Sequence, residues 1–357
     1  MQSKSDILYD LLKKEILTGV WQAGSKLPRE SELARRKNVA LLTLRNALVK
    51  LEADHLIARV PRSGTFVLNR KKSDTKTIML RIERYSGEVK TQQNFVQELI
   101  LGVSNATFLK NYKLKICDSS ESIESLKLQF QQGEYAGIIW DRPPETVYGD
   151  IEMLSKLNIP QVAINRKVSG IPHISCDYSG GLSRAMRFLR DIGHRYISLI
   201  DLDKSGGVFS SRRQEFINCL RFSGINDPER LLLTRPYPPT PDGYIKIAEH
   251  FKKNPDITAV IVSYTHIEHF MRFVKESRLN VPRDLSVIVW GENGTPALDN
   301  AGDFTILSEM RWTIGGKAAE LLDMLLTKEK NVPQDNLVMP DILLRESCGL
   351  PKMPPCR

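Results

Sequence analysis

The sequence predicts an α/β protein built from a small basic helical module and a much larger domain of alternating strands and helices. Three observations lead there. The first is charge. Residues 1–72 hold 15 Lys and Arg against 7 Asp and Glu, while the other 285 residues hold 36 against 35, so nearly all of the net charge of +9 sits in the first fifth of the chain. The second is period: apolar residues recur at helical spacing up to Asp54, and beyond Lys76 short apolar runs alternate with amphipathic stretches. The third is length, since 357 residues suggest at least two domains.

In the first module, Ile7, Leu8, Leu11, Leu12 and Ile16 predict one face of a helix, with Ser5 or Asp6 as its cap and Gly19 as its stop. Trp21–Pro28 reads as a turn segment. Glu30–Lys37 predicts a second helix with Leu33 and Ala34 inward. Asn38-Val39 is a break, and Thr43–Asp54 predicts a third helix with Leu44, Ala47, Leu48 and Leu51 on its apolar face. Leu56–Val60 and Thr65–Leu68 predict two short strands around a Pro61-Arg-Ser-Gly64 turn. Three helices and a hairpin make a winged helix-turn-helix over residues 1–68. A basic module of that shape suits double-stranded DNA: cations neutralise phosphates, the third helix enters the major groove, and the hairpin reaches a neighbouring groove or the backbone. Trp21 and Phe66 are expected in the core, and Arg35, Arg36 and Lys37 as a solvated or phosphate-facing run.

This module resembles the GntR family of bacterial regulators. The resemblance rests on Ile16-Leu-Thr-Gly19, Gly24-Ser-Lys-Leu-Pro-Arg-Glu-Ser-Glu-Leu-Ala34, Thr43-Leu-Arg-Asn-Ala-Leu48, Leu51-Glu52 and Gly64-Thr-Phe-Val67. It implies Arg45 as the first DNA contact, followed by Arg29, Thr43, Arg62 and Ser63, with Ser31, Leu41 and Gly64 at matching positions. The sequence departs from the family where it reads DNA. Ala40, Leu41 and Leu42 stand where the family carries Ser or Thr and Arg, and Ser31 stands where it carries Arg. Leucine offers a base edge only apolar contact, such as with a thymine methyl.

Residues 69–76 are polar, basic and without apolar side chains, as a linker would be. From residue 77 to 347, strand-like runs at Thr77–Ile82, Lys113–Cys117, Ala136–Trp140, Gln161–Ile164, Tyr196–Ile200, Ala259–Val262 and Ser286–Val289 alternate with helical stretches. The stretches are Gln97–Leu109, Ser122–Gln131, Gly180–Asp191, Arg213–Ser223, Tyr244–Lys253 and His266–Glu276. Alternation of this kind predicts parallel sheets with helices on both faces, and the length favours two lobes over one sheet. Residues 348–357 read as a tail.

The second domain resembles the ligand-binding domain of LacI-type repressors. The blocks are Ile159–Arg166, Ser175–Gly181, Gly193–Ile197, Arg212–Phe216, Leu279–Val287 and Pro340–Ser347. The resemblance implies a two-lobed periplasmic-binding-protein-like (type I) effector domain, closing on a small ligand such as a sugar or sugar derivative. By family position it implies Asp141, Arg166, Arg212, Tyr264, Trp290 and Glu292 as ligand contacts, with an interlobe salt bridge as the other reading of Arg212. Ser263-Tyr264 and Trp290-Gly-Glu292 replace the Asn-Asp and aromatic-Asp-Asp of sugar-binding relatives. The pairing of the two domains resembles the arabinose-repressor subgroup of GntR regulators. It implies a ligand-responsive transcription regulator, a repressor by family tendency, binding a near-palindromic operator as a homodimer. The alternative is a small-molecule-binding or dimerisation module whose DNA contact is altered or vestigial.

Other classes are disfavoured. The composition, 41% hydrophobic and 26% charged, is that of a globular protein. The apolar runs, such as Ala259–Ser263, fall far short of the roughly 20 residues of a membrane helix, and the first residues lack a signal-peptide core. A soluble, cytoplasmic protein is expected. The five cysteines are scattered without C-x-x-C spacing, so neither a disulfide framework nor a zinc site is expected. With no phosphate loop, G-x-S-x-G or H-E-x-x-H, no enzyme, cofactor or metal is expected. His266 and His269 read as two surface imidazoles, and His194 as structural.

Overall fold

The computed structural model describes residues 4–22, 24–54, 56–60, 64–67, 77–82, 90–118, 122–203, 207–236, 239–291 and 304–352. The chain divides into two compact units, residues 1–77 with 121–136 and residues 78–120 with 137–357. Among the described residues no helix is long and apolar enough to cross a membrane.

In the first unit, helices α1 (Lys4–Leu17), α2 (Glu30–Arg36) and α3 (Leu41–Ala53) precede an antiparallel hairpin of β1 (Ile57–Val60) and β2 (Gly64–Val67). The core joins Leu8 and Leu12 of α1, Leu33 and Ala34 of α2, the four predicted residues of α3, and Ile57 and Val67 of the hairpin. Three expectations shift. Helix α1 already runs at Lys4, so Ser5 and Asp6 lie in its first turn rather than capping it. Ile7 and Leu11 face outward while Leu8 and Leu12 face inward, with Tyr9 and Ile16 packed beside them, so the core takes a narrower stripe than the apolar pattern suggested. Helix α3 begins at Leu41, with Ala40 as a cap that offers no side-chain hydrogen bond. Trp21 is half-buried against this core, its indole donating to Glu15 at 2.9 Å.

The second unit contains two six-stranded sheets. The first has the order β13-β7-β6-β5-β3-β4, from β3 (Thr77–Ile82), β4 (Lys113–Asp118), β5 (Gly137–Asp141), β6 (Gln161–Ile164), β7 (His173–Cys176) and β13 (Asp335–Val338). The second has the order β14-β12-β11-β10-β8-β9, from β8 (Ile197–Leu202), β9 (Leu232–Arg235), β10 (Ala259–Ser263), β11 (Ser286–Gly291), β12 (Thr305–Ser308) and β14 (Asp341–Leu343). Its pairings are parallel except that of β14 with β12. The central strands β5, β6, β8, β10 and β11 are buried along their whole length, as strands covered on both faces must be.

The chain passes between the two sheets three times. After β7 it enters α7 (Tyr178–Asp191), whose apolar face packs into the second lobe's core. After β12 it returns in α11 (Arg311–Leu326), which packs with α4 (Lys90–Leu109) in the first lobe's core. From β13 to β14 it crosses again. The α4–α11 contact is close enough to require glycine. A Cβ on Gly102 would stand 2.0 Å from the Trp312 carbonyl oxygen, and one on Gly315 would stand 2.4 Å from that of Leu99. The remaining helices are α5 (Ile123–Gln131), α6 (Tyr148–Lys156), α8 (Gly207–Phe222), α9 (Gly243–Lys253) and α10 (Ile267–Glu276).

His194 ties the second lobe together: its ring nitrogens meet Thr258 and Ser286 hydroxyls at 2.9 Å and the Gly349 carbonyl at 3.0 Å. His266 is not on the surface. It is fully buried beneath α10, because it lies in the turn that feeds the helix's apolar face into the core.

Candidate functional site

The first candidate surface is the outer side of α3 with the segments around it. The turn between α2 and α3 needs a left-handed residue, and Asn38 supplies it at φ +52°. With Leu44, Ala47, Leu48 and Leu51 buried, α3 turns Leu42, Arg45 and Asn46 outward. Arg45 is held by Glu30 of α2, Nε to Oε2 at 2.8 Å, and both side chains remain open to solvent. Its carbonyl accepts a hydrogen bond from Arg59 at 3.3 Å, and Arg59 also pairs with Glu52 at 3.4 Å. Arg29 and Ser31 are exposed at the start of α2, and Thr43 is half-buried. Gly64 opens β2 at φ +112°, where a Cβ would collide with the Lys26 side chain. Arg62 and Ser63 lie outside the described residues. Arg59 and Lys26 were missed by the sequence reading. A cation on the hairpin in register with a basic helix was the available signal for Arg59. In the charge run, Arg36 pairs with Glu32 and Lys37 with Glu15, leaving Arg35 outward.

The second candidate surface forms where the parallel strands of the second unit end. In open α/β sheets ligands lie beyond the carboxyl ends of the strands. In the first lobe, Asp141 ends β5 fully buried. Its Oδ2 pairs with Arg142 at 3.1 Å, and its Oδ1 has no hydrogen-bond partner among the described residues. Arg166 follows β6, is exposed, and donates to the Pro143 carbonyl at 3.1 Å. In the second lobe, Asp201 lies near the end of β8 and receives Arg212 of α8 through two hydrogen bonds, one of them Nε to Oδ2 at 3.1 Å. This pair lies within one lobe, not across the two. The guanidinium stands 4.5 Å from the Trp290 ring centre, 5.2 Å from Phe209 and 5.9 Å from Tyr178. Tyr178 and Trp290 stack at 6.0 Å. Tyr264 is half-buried after β10 and packs against Gly291, where a Cβ would come within 2.9 Å of it. Glu292 lies outside the described residues.

The structure therefore brings Arg212 and Trp290 together, puts Tyr264 beside them, and leaves Asp141 and Arg166 on the facing lobe. It also supplies groups that sequence reasoning missed. The Tyr178 hydroxyl donates to Glu309 at 3.4 Å, and Arg311 donates to the same carboxylate oxygen at 2.9 Å. Tyr178 opens the first crossover, while Glu309 and Arg311 flank Met310 (φ +59°) at the second. Burial pushes the Tyr178 phenol well up, and the Glu309 charge adds to the effect, so it is a neutral donor. Burial opposes the Arg212 charge, yet Asp201 more than offsets it and raises the guanidinium further. Asp201 was legible as a carboxylate at the end of a buried apolar strand. Tyr178, Glu309 and Arg311 gave no such signal.

A buried cation backed by a carboxylate and walled by aromatic rings can hold hydroxyls, a carboxylate or a phosphate. Among the described residues no group of three or more His, Cys, Asp or Glu side chains could hold a metal.

A winged helix-turn-helix and a two-lobed α/β domain in one chain are the architecture of a transcription regulator. Residues 4–67 match the family of bacterial regulatory proteins, gntR family, and residues 186–348 match the periplasmic binding protein-like domain. The chain thus joins a GntR-type helix-turn-helix domain to a periplasmic-binding-protein-like domain. It is 24% identical to the arabinose metabolism transcriptional repressor of Geobacillus stearothermophilus, over 97% of this chain and 99% of that one. The fold resembles a transcription regulator from Lactobacillus plantarum (TM-score 0.62, 18% identity, 76% of this chain and 99% of that one). It also resembles the transcriptional regulator CelR in complex with cellobiose (TM-score 0.59, 19% identity, 90% of this chain and 100% of that one).

Proposed function

We propose that this protein is a repressor of sugar-metabolism genes that binds a near-palindromic operator as a dimer and changes its hold on DNA when a sugar or sugar derivative enters the interlobe cleft. One observation carries the reading: a single chain pairs a basic winged helix-turn-helix module with a second domain whose buried Arg212, Asp201 and Trp290 offer charge, hydrogen bonds and an aromatic face. Ligand closure of the lobes would shift the population between a DNA-gripping and a DNA-releasing form. The names of the similar repressors, and the cellobiose held by a protein of similar fold, support a sugar as effector. The exposed apolar residues Leu101 and Phe108 on α4, beside the exposed Trp312 of α11, support self-association.

The test is binding of the purified chain to its own upstream DNA, with sugars, sugar acids and sugar phosphates added in turn. Salt-dependent preference over random DNA, altered by one of these ligands, is expected. No preference in any condition would overturn the reading. A second reading keeps the cleft and makes the DNA contact vestigial; Leu41 and Leu42 on α3 favour it. Charge reversal at Arg45 and Arg62 separates the two, because a vestigial reader would lose no affinity for DNA.

A further inference from the structure

Resting on the DNA-binding reading above, we propose that α3 selects A·T pairs by apolar contact with thymine methyl groups, with Leu41 and Leu42 as the specificity-determining residues and Asn46 as the adenine reader. Helix α3 starts at Leu41, so both leucines occupy its first turn, the part of a recognition helix that meets base edges. Leu42 is 70% exposed and Leu41 38%. At 3.6 residues per turn, Leu42, Asn46 and Val49 form the row opposite the buried face. That row carries no guanidinium or ammonium, the groups that take the O6 and N7 edge of guanine. What a leucine can bury against in the major groove is the C5 methyl that thymine alone carries. Asn46 is exposed one turn further on, and its amide matches the N6 and N7 edge of adenine. Arg45, the one arginine of α3, lies off that row with its Nε on Glu30, in an exposed pair that a phosphate can displace. The rest of the charge that holds the duplex comes from the basic surroundings of the helix, among them Arg29, Arg35 and Arg36.

The full chain is incubated with a pool of random-sequence duplexes, and the enriched duplex is remade with deoxyuridine in place of thymidine. An A·T-centred half-site is expected. Each methyl removed beneath the leucines is expected to weaken binding about fourfold, the effect of one buried methyl-sized group. Leu42→Ala should lose affinity on the thymidine duplex and almost none on the deoxyuridine duplex, a coupling that a merely structural role would not produce. Arg45→Ala should weaken both alike. Leu42 is too exposed for its loss to unfold the module, and an unchanged melting curve checks this. If no sequence is enriched, the DNA-binding reading itself fails. If a duplex is enriched but its centre is G·C, or thymidine and deoxyuridine bind equally, the methyl-reading proposal is overturned while DNA binding stands.

Discussion

Arg45 and Arg212 each rest on a carboxylate, and they live in opposite surroundings. The Arg45–Glu30 pair has side-chain exposures of 56% and 30%; the Arg212–Asp201 pair has 5% and 1%. In water-like surroundings the first pair is worth little and is easily exchanged for a phosphate. In the low dielectric of the cleft the second pair is costly to break, because neither partner recovers its hydration. The comparison teaches how one chain can carry an exposed pair that gives way at little cost and a buried pair that does not.

Removing one partner from each pair would sharpen that contrast. The largest effect is expected for Asp201→Ala, which strands a buried guanidinium among aromatic rings. A loss of about 3–5 kcal/mol in urea unfolding is expected. Retention of wild-type stability would show that Arg212 reaches water by itself. A smaller loss is expected for Gly315→Ala, whose new methyl must displace the Leu99 carbonyl and separate α4 from α11. Overpacking of this kind costs about 1–3 kcal/mol, read as a lower melting temperature.

Acidification tests the buried histidines of the second lobe. Burial, with help from His269 and Arg235, lowers His266 to about 4, and burial with Arg230 and Lys253 lowers His250 to about 4. Both are neutral in the fold, while the unfolded chain takes up their protons near 6.5. The unfolded state therefore binds more protons between those values, so stability falls as pH drops through that window and levels off below about 4. Asp284, held to about 2 chiefly by Lys352, adds a loss that begins only below its ordinary 3.8. A melting temperature that stays flat from about pH 7 to 5 would show that the two histidines are hydrated. The smallest effect is expected for Glu30→Ala. Stability should change by less than about 1 kcal/mol, because an exposed pair contributes little, while DNA affinity should move as Arg45 is freed.

Much of this was legible from pattern. The four inward residues of α3 follow from a 3.6-residue period, and the strands at 161–164 and 259–263 follow from apolar runs between turn residues. Helix α11 was not legible. Its apolar residues are spread around the axis because it is buried on several sides, by α4 and by β5, β6 and β7, so no amphipathic stripe marks it. The burial of His266 was hidden for a related reason, since a turn residue carries no period. The starting point of α3 was hidden too, because Ala40 caps it without a polar side chain.

By itself the sequence determined the basic reader, the alternation of strand and helix, and the residue types at the strand ends, since these depend on local period and composition. Tertiary structure alone decided which charges became buried pairs. It set Arg212 of α8 on Asp201 of β8 within one lobe, and it brought Tyr178 to Glu309 across 131 residues, because the chain crosses between lobes three times and brings the ends of distant strands together. Contacts of that kind depend on long-range topology, which no window of sequence contains.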